Sequence, residues 1–307
     1  MDRHTALAKV TDLAPRAFPF ALRLWDAARR SLDRVTAEWL GEDFEERVER
    51  LRLRYVRTGG DPFGLDPTTA RKAMKLLSFF HRVYFRTECH GLQNLPPGRM
   101  LLVANHAGQV PIDAAIIGCA LFLDATPERV VRAMVERWAG TLPFVSTFFS
   151  RVGQVVGLPE NARRLLERDE VLLAFPEGVR GISKPITRRY QLEEFGTGFM
   201  RLALETSSPI VPVAVIGSEE QYVSLGNLTG LARVLGIPAF PLLPQLLIPG
   251  GQLPLPLKYR LYFGEPLRFS GNPNDDDRAI SDKVWTVRQT IQNMVNQGLN
   301  ARRHLFY

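Results

Sequence analysis

The chain has 307 residues and a net charge of +7, from 39 Lys and Arg against 32 Asp and Glu. That length can bury a full core, as one large domain or a domain with an extension. Much of the excess charge is arginine in the first sixty residues and between Arg180 and Arg201, which fits an anionic partner (nucleic acid, an anionic membrane or a phosphorylated substrate) or a solvated basic face. Two cysteines, Cys89 and Cys119, make no disulfide framework and no metal-ligand spacing, and fit a reducing compartment. Asp2, Arg3, His4 and Lys9 stand where a signal peptide would carry its apolar run, so none is expected.

Residues 1 to about 85 read as helical. Phe18 to Leu40 has an apolar set (Phe18, Phe20, Leu24, Trp25) and a basic one (Arg23, Arg29, Arg30), the pattern of a helix lying on a membrane surface or docked on a domain. Phe44 to Val56 alternates Glu and Arg with Val48, Leu51 and Leu53. Asp66 before Pro67 predicts a helix start, and that helix would carry Leu76, Leu77, Phe79, Phe80, Val83, Tyr84 and Phe85.

From Arg86 short apolar runs alternate with helical patterns. Runs at 100–104, 129–135, 171–175 and 210–216 predict strands, and stretches at 111–123, near 160–168 and near 194–206 predict helices. Such alternation argues an α/β domain whose largely parallel mixed sheet is flanked by helices, with an N-terminal helical extension. Val234 to Leu257 is uncharged and long enough to span a bilayer. It holds Pro238, Pro241, Pro244, Pro249, Pro254 and Pro256, which break a helix repeatedly, so it reads as an apolar loop. Lys258 to Gly264 reads as a late strand. After Asp275-Asp276-Asp277, the residues Val284, Val287, Ile291, Met294 and Val295 recur at helical spacing. The expected division is 1–85 helical and membrane-associating, 86–270 the α/β domain, and 271–307 a C-terminal helix packed on it.

Two loops carry the chemistry. Asn105-His106-Ala107-Gly108-Gln109-Val110-Pro111-Ile112-Asp113 follows the first apolar run. Pro111 suits the first turn of a helix, so His106 falls in the strand-to-helix loop and Asp113 in the first helical turn. A neutral imidazole there can take a hydroxyl proton while a carboxylate on its other nitrogen fixes the tautomer. The plain alternative is an exposed loop histidine and an Asp serving the helix dipole. Phe175-Pro176-Glu177-Gly178-Val179-Arg180 follows another apolar run. Gly178 lets backbone approach a ligand, Arg180 can bind phosphate bidentately, and Glu177 can accept from a glycerol hydroxyl. Ser150-Arg151-Val152-Gly153 adds another arginine at a turn. Taken singly, each of these also reads as an ion pair or a solvated side chain.

Together these residues resemble the PlsC-type family of glycerolipid acyltransferases. Asn105-His106 with Asp113 is similar to its first motif, Arg151 lies where the second is expected, Phe175 to Arg180 is close to the third, and Pro209-Ile210-Val211-Pro212-Val213 is similar to the fourth. Two departures stand out. The family places four residues between His and Asp, whereas here six intervene, and Val179 replaces the usual Thr. The resemblance implies transfer of a fatty acyl group from acyl-CoA or acyl-carrier protein to a lysophospholipid, lysophosphatidic acid first, through a ternary complex without a covalent enzyme intermediate. It implies His106 as general base with Asp113, and Arg151, Glu177, Gly178 and Arg180 around the acceptor. Lys184, Arg188 and Arg189 are further candidates for the phosphate or for head groups, with a solvated basic loop as the alternative. No metal, no cofactor beyond the acyl donor and no nucleic acid are expected, and the enzyme should work peripherally or monotopically on the cytoplasmic face of an anionic membrane. Glycerol-3-phosphate, diacylglycerol and a non-catalytic lipid-binding role are the alternatives.

Rival chemistries lack their residues. A serine hydrolase needs a Gly-x-Ser-x-Gly elbow, and Gly181-Ile182-Ser183 runs instead into Lys184-Pro185. A dinucleotide enzyme needs a third glycine and a preceding strand at Gly196-Thr197-Gly198. A metal hydrolase needs ligands that the five scattered histidines do not supply.

Overall fold

The computed structural model describes residues 38–306, apart from 107–110, 137–139, 141–142, 229, 231 and 234–239. Strands β1 (Glu88–His90), β2 (Met100–Ala104), β3 (Val131–Val135), β4 (Val155–Val156), β5 (Val171–Ala174), β6 (Ile210–Ile216) and β7 (Arg260–Phe263) form one sheet in the order β1-β7-β6-β2-β5-β3-β4. β2 to β6 run parallel, β7 lies antiparallel to β6, and β1 pairs parallel with β7. The chain therefore has the largely parallel, mixed α/β sheet that its alternating pattern predicts. All residues of β2, β5 and β6 are buried, because a strand covered on both faces must be apolar on both. Each fully buried Leu, Val or Met contributes roughly 1.5–3 kcal/mol.

Helices α1 (Phe44–Arg57), α2 (Pro67–Phe79), α3 (Ile112–Cys119), α4 (Val145–Arg151), α5 (Pro159–Glu167), α6 (Val179–Ile182), α7 (Gly198–Thr206) and α8 (Asp277–Ala301) flank it. On one face α5, α7 and α8 bury Leu165, Met200, Val287 and Ile291 against Ile210, Ala214 and Ile216. On the other, Ile116, Ile117 and Phe85 cover Val211, Val213 and Val215. Outside this second layer, Phe44, Val48, Leu51 and Tyr55 of α1 pack on Cys119, Phe122 and Leu123. A buried Arg132–Asp61 ion pair at 3.0 Å ties the loop between α1 and α2 to β3. His81 Nε2 donates to the Asp124 carboxylate at 2.7 Å, and Arg82 pairs with the same carboxylate, which fastens the end of the second helical segment to the end of the α3 segment.

The helix starts follow their sequence signals. The Asp66 carboxylate accepts from the Thr68 and Thr69 amides at 3.2 and 3.0 Å, with Pro67 first in α2. Asp276 accepts from the Ala279 amide at 2.8 Å and opens α8. Such caps are each worth about 1 kcal/mol. The amphipathic stretch from Phe18 lies outside the described residues except for its last turn. In the Pro-rich segment, residues 240–257 form a loop broken by one 3-10 turn, Pro244–Leu247. Among the described residues no helix is long and apolar enough to cross a membrane.

The sheet order explains where chemistry gathers. β2 stands between β5 and β6, and all three point the same way, so the segments leaving their carboxyl ends meet above the sheet. Those segments begin at Asn105, Phe175 and Gly217.

Candidate active site

His106 comes one residue after Asn105, whose buried amide is the structural reason the loop leaves β2 where it does. Asn105 Oδ1 accepts from the Val215 amide at 2.7 Å, and its Nδ2 donates to the Val215 carbonyl at 3.0 Å. The side chain thus continues the β2–β6 ladder past the last strand residue. His106 Nδ1 stands 2.7 Å from Asp113 Oδ2. Asp113, fully buried in the first turn of α3, also accepts from the Ala114 amide at 2.8 Å through Oδ1. The six intervening residues therefore do not separate the pair. The imidazole stacks on Phe175, ring centroids 4.1 Å apart.

Burial alone would drive a proton off His106. The Asp113 carboxylate outweighs it by charge and hydrogen bond, Glu177 adds to it and Lys184 opposes, and the net result holds His106 above its ordinary 6.5. With Nδ1 facing Asp113, Nε2 is the nitrogen left for a substrate proton.

Glu177 comes up beneath this loop. Its Oε1 accepts from the His106 amide at 3.0 Å, and its Oε2 accepts from Lys184 Nζ at 3.1 Å and the Glu193 amide at 2.8 Å. Lys184 also donates to Glu219, at 3.3 and 3.2 Å to its two oxygens, and to the Gln191 carbonyl at 3.2 Å. Glu219 accepts from the Tyr190 amide at 2.7 Å, and Asn105 Nδ2 lies 3.4 Å from its Oε1. All three charged side chains are shut away from solvent. Burial pushes the Glu219 carboxyl up to about 7, against the pull of Lys184 and the Tyr190 amide.

Two glycines shape the turn. Gly178 adopts φ 56° and ψ −139°, a backbone region that other residues avoid, at the entry to α6. Gly181 is needed for a different reason. A Cβ there would lie 3.0 Å from Glu177 Cβ and 3.1 Å from the His106 carbonyl oxygen, so this glycine lets α6 close on the histidine loop.

The structure brings His106, Asp113, Glu177, Gly178 and Lys184 together, but Lys184 is neither solvated nor aimed at a ligand. Arg180 is exposed and pairs with the exposed Glu194 at 3.1 Å. Arg188 and Arg189 are exposed in part, paired with Glu193 and Glu220. Arg151 stands on a separate helix. It ends α4, its carbonyl accepts from the Asp66 amide at 2.9 Å, and a Cβ on Gly153, two residues on, would lie 3.7 Å from Arg132 Cδ. Arg132 is level with Leu172, and so with Leu101 of β2.

Asn105, Gly181 and Glu219 are the residues that the motif reading did not single out for the site. Glu219 had a signal: it directly follows an apolar strand, as His106 and Glu177 do.

A histidine held by a buried carboxylate at the carboxyl end of a central parallel strand has the geometry that a general base needs. The family model described as Acyltransferase matches residues 86–216. An uncharacterized protein of Mycobacterium leprae is 37% identical over 255 residues, covering 80% of this chain and 70% of that protein. A mouse protein described as a DGAT1/2-independent enzyme synthesizing storage lipids is 24% identical over 223 residues, covering 72% and 64%. The crystal structure of the 1-acyl-sn-glycerophosphate (LPA) acyltransferase PlsC from Thermotoga maritima superposes with a TM-score of 0.49 at 17% identity, covering 77% of this chain and 83% of that one. The chain belongs to the Acyltransferase family, and it is an acyltransferase.

Proposed function

We propose that the enzyme moves a fatty acyl group from an acyl thioester, acyl-CoA or acyl-carrier protein, to a glycerolipid hydroxyl, with lysophosphatidic acid as the first acceptor and phosphatidic acid as product. The observation that carries this reading is the 2.7 Å contact between His106 Nδ1 and a fully buried Asp113. Nε2 removes the acceptor's hydroxyl proton as its oxygen attacks the thioester carbonyl. The C–S bond then breaks, the new ester leaves, and the imidazolium returns its proton to the departing thiolate. Acceptor and donor must be bound together, since no group of the enzyme is acylated.

For a phosphorylated acceptor, Arg180 is the cation within the third motif that stays open to solvent. A hydrogen bond to a charged group is worth about 1.5–3 kcal/mol, so Arg180→Ala should raise the acceptor KM roughly tenfold or more for lysophosphatidic acid and leave the KM for a neutral acceptor unchanged. Equal losses for both would remove phosphate recognition from Arg180. A second reading, a neutral acceptor such as diacylglycerol, is favoured by the internal pairing of Lys184 with Glu177 and Glu219. The relatives named for storage-lipid synthesis point the same way. Mass spectrometry of the products from a mixed acceptor pool and one acyl-CoA separates the two readings: phosphatidic acid supports the first, triacylglycerol the second.

We also propose that the enzyme meets an anionic membrane peripherally or monotopically, from its cytoplasmic face. Leu247 is 89% exposed, with Leu246 and Ile248 beside it, in the loop that leaves the carboxyl end of β6. Phe144, 88% exposed, stands in the connection between β3 and α4. Exposed apolar groups of this size around a lipid-handling site favour insertion among acyl chains. Leu246→Asp with Leu247→Asp should release the protein from vesicles in flotation while short-chain, water-soluble substrate is still turned over. Unchanged flotation with lost short-chain turnover would assign the loop to the active site instead.

A further inference from the structure

The hydrogen bonds behind His106 form a closed circuit. From the His106 amide they run to Glu177 Oε1, from Glu177 Oε2 to Lys184, from Lys184 to Glu219, and from Glu219 to Asn105 Nδ2, which leads back through one covalent residue to His106. The circuit is also pinned from outside, by Val215 at Asn105, by the Glu193 amide at Glu177 and by the Tyr190 amide at Glu219.

We infer that Lys184 and Glu219 are positioning residues, which with Glu177 hold the Asn105–His106 peptide in a ring of hydrogen bonds and so fix where the catalytic imidazole stands. This rests on the reading of His106 as general base.

Three observations favour it. The side chains of Glu177, Lys184 and Glu219 are 0–4% exposed, so a substrate outside cannot replace their partners. Burying two carboxyls with one ammonium costs more desolvation than an apolar trio would, so the arrangement is a poor device for stability alone. And the ring's contact with the catalytic loop is a main-chain amide, which sets position without competing for the proton-accepting nitrogen. Gly181 gives the ring room, since any larger residue would push Glu177 and the His106 carbonyl apart.

Lys184→Met and Glu219→Gln test it, each measured for kcat and acceptor KM. Partners that orient an active group from behind typically matter by about 10–100-fold. Each variant should lose about that factor in kcat, with acceptor KM changed by no more than roughly threefold.

A second readout does not depend on turnover: NMR titration of the His106 ring, assigned by its absence in His106→Ala. Asp113, Glu177 and Lys184 are the charges that act on this ring. Removing the Lys184 cation should move the midpoint up, and Glu177→Gln should move it down. The titration reads whether these charges reach the ring, and a kcat loss at unchanged acceptor KM reads whether they hold it in place. If Lys184→Met does not fold, Glu219→Gln carries the kinetic comparison and Glu177→Gln the titration, while Lys184→Arg, which keeps the charge, should recover most of the rate.

Unchanged kcat in folded Lys184→Met, a loss confined to acceptor KM, or unmoved titration midpoints would overturn the inference. If wild-type enzyme acylates no acceptor, the base reading fails on its own, and the titration shifts still decide whether the ring acts on His106.

Discussion

His106→Ala is expected to lower turnover by about 10²–10⁴, the usual contribution of a positioned general base, while thermal unfolding changes little. Among the described residues the ring makes a stack on Phe175 and a hydrogen bond to Asp113, and its side chain keeps 15% exposure. Its removal therefore opens no large cavity, although it leaves Asp113 facing space. Fold and rate should separate cleanly. A folded variant with wild-type turnover would mean that another group takes the acceptor's proton.

Asp113→Asn should be nearly as damaging, roughly 10²–10³ at neutral pH, because an amide can hold the wrong tautomer and cannot stabilise an imidazolium. It also predicts a shift whose direction is fixed. The base works when neutral, and His106 is held above 6.5 chiefly because Asp113 overcomes burial. In wild type, kcat/KM should therefore rise with pH through a midpoint above 6.5 and be lost as pH falls below it. With Asp113 replaced, burial prevails and that midpoint moves to lower pH, even as the plateau drops. A plateau that falls with no movement of the midpoint would show that Asp113 shapes the loop without governing the proton.

Much of this could be read from local pattern. The apolar runs ending at Ala104, Ala174 and Ile216 gave their strands because a strand buried on both faces tolerates no polar residue, and Asp66-Pro67 marked a helix start through capping chemistry that is local by nature. The His106–Asp113 pair was legible for the same reason, as both lie within one strand-to-helix connection. What spacing could not supply was adjacency between distant strands. That β6 lies next to β2 is a fact of sheet order, and it alone brings Glu219 and Val215 to Asn105. Lys184 looked like a member of a basic loop with Arg188 and Arg189, and only its burial between two carboxyls separates it from them. Arg151 shows the same limit: its place in the order of motifs says nothing of its neighbours, and that its carbonyl accepts from the Asp66 amide comes only from the packing of two distant segments.

The most direct test of the central claim is a paired measurement on purified protein with one acyl-CoA and a glycerolipid acceptor. Free thiol and new ester are quantified together, with and without acceptor, for wild type and His106→Ala. Direct, base-assisted transfer predicts thiol and ester released one for one, only when acceptor is present, and both reduced in parallel by the substitution. Thiol release without acceptor, an acylated enzyme, or undiminished ester formation by the His106→Ala protein would contradict it.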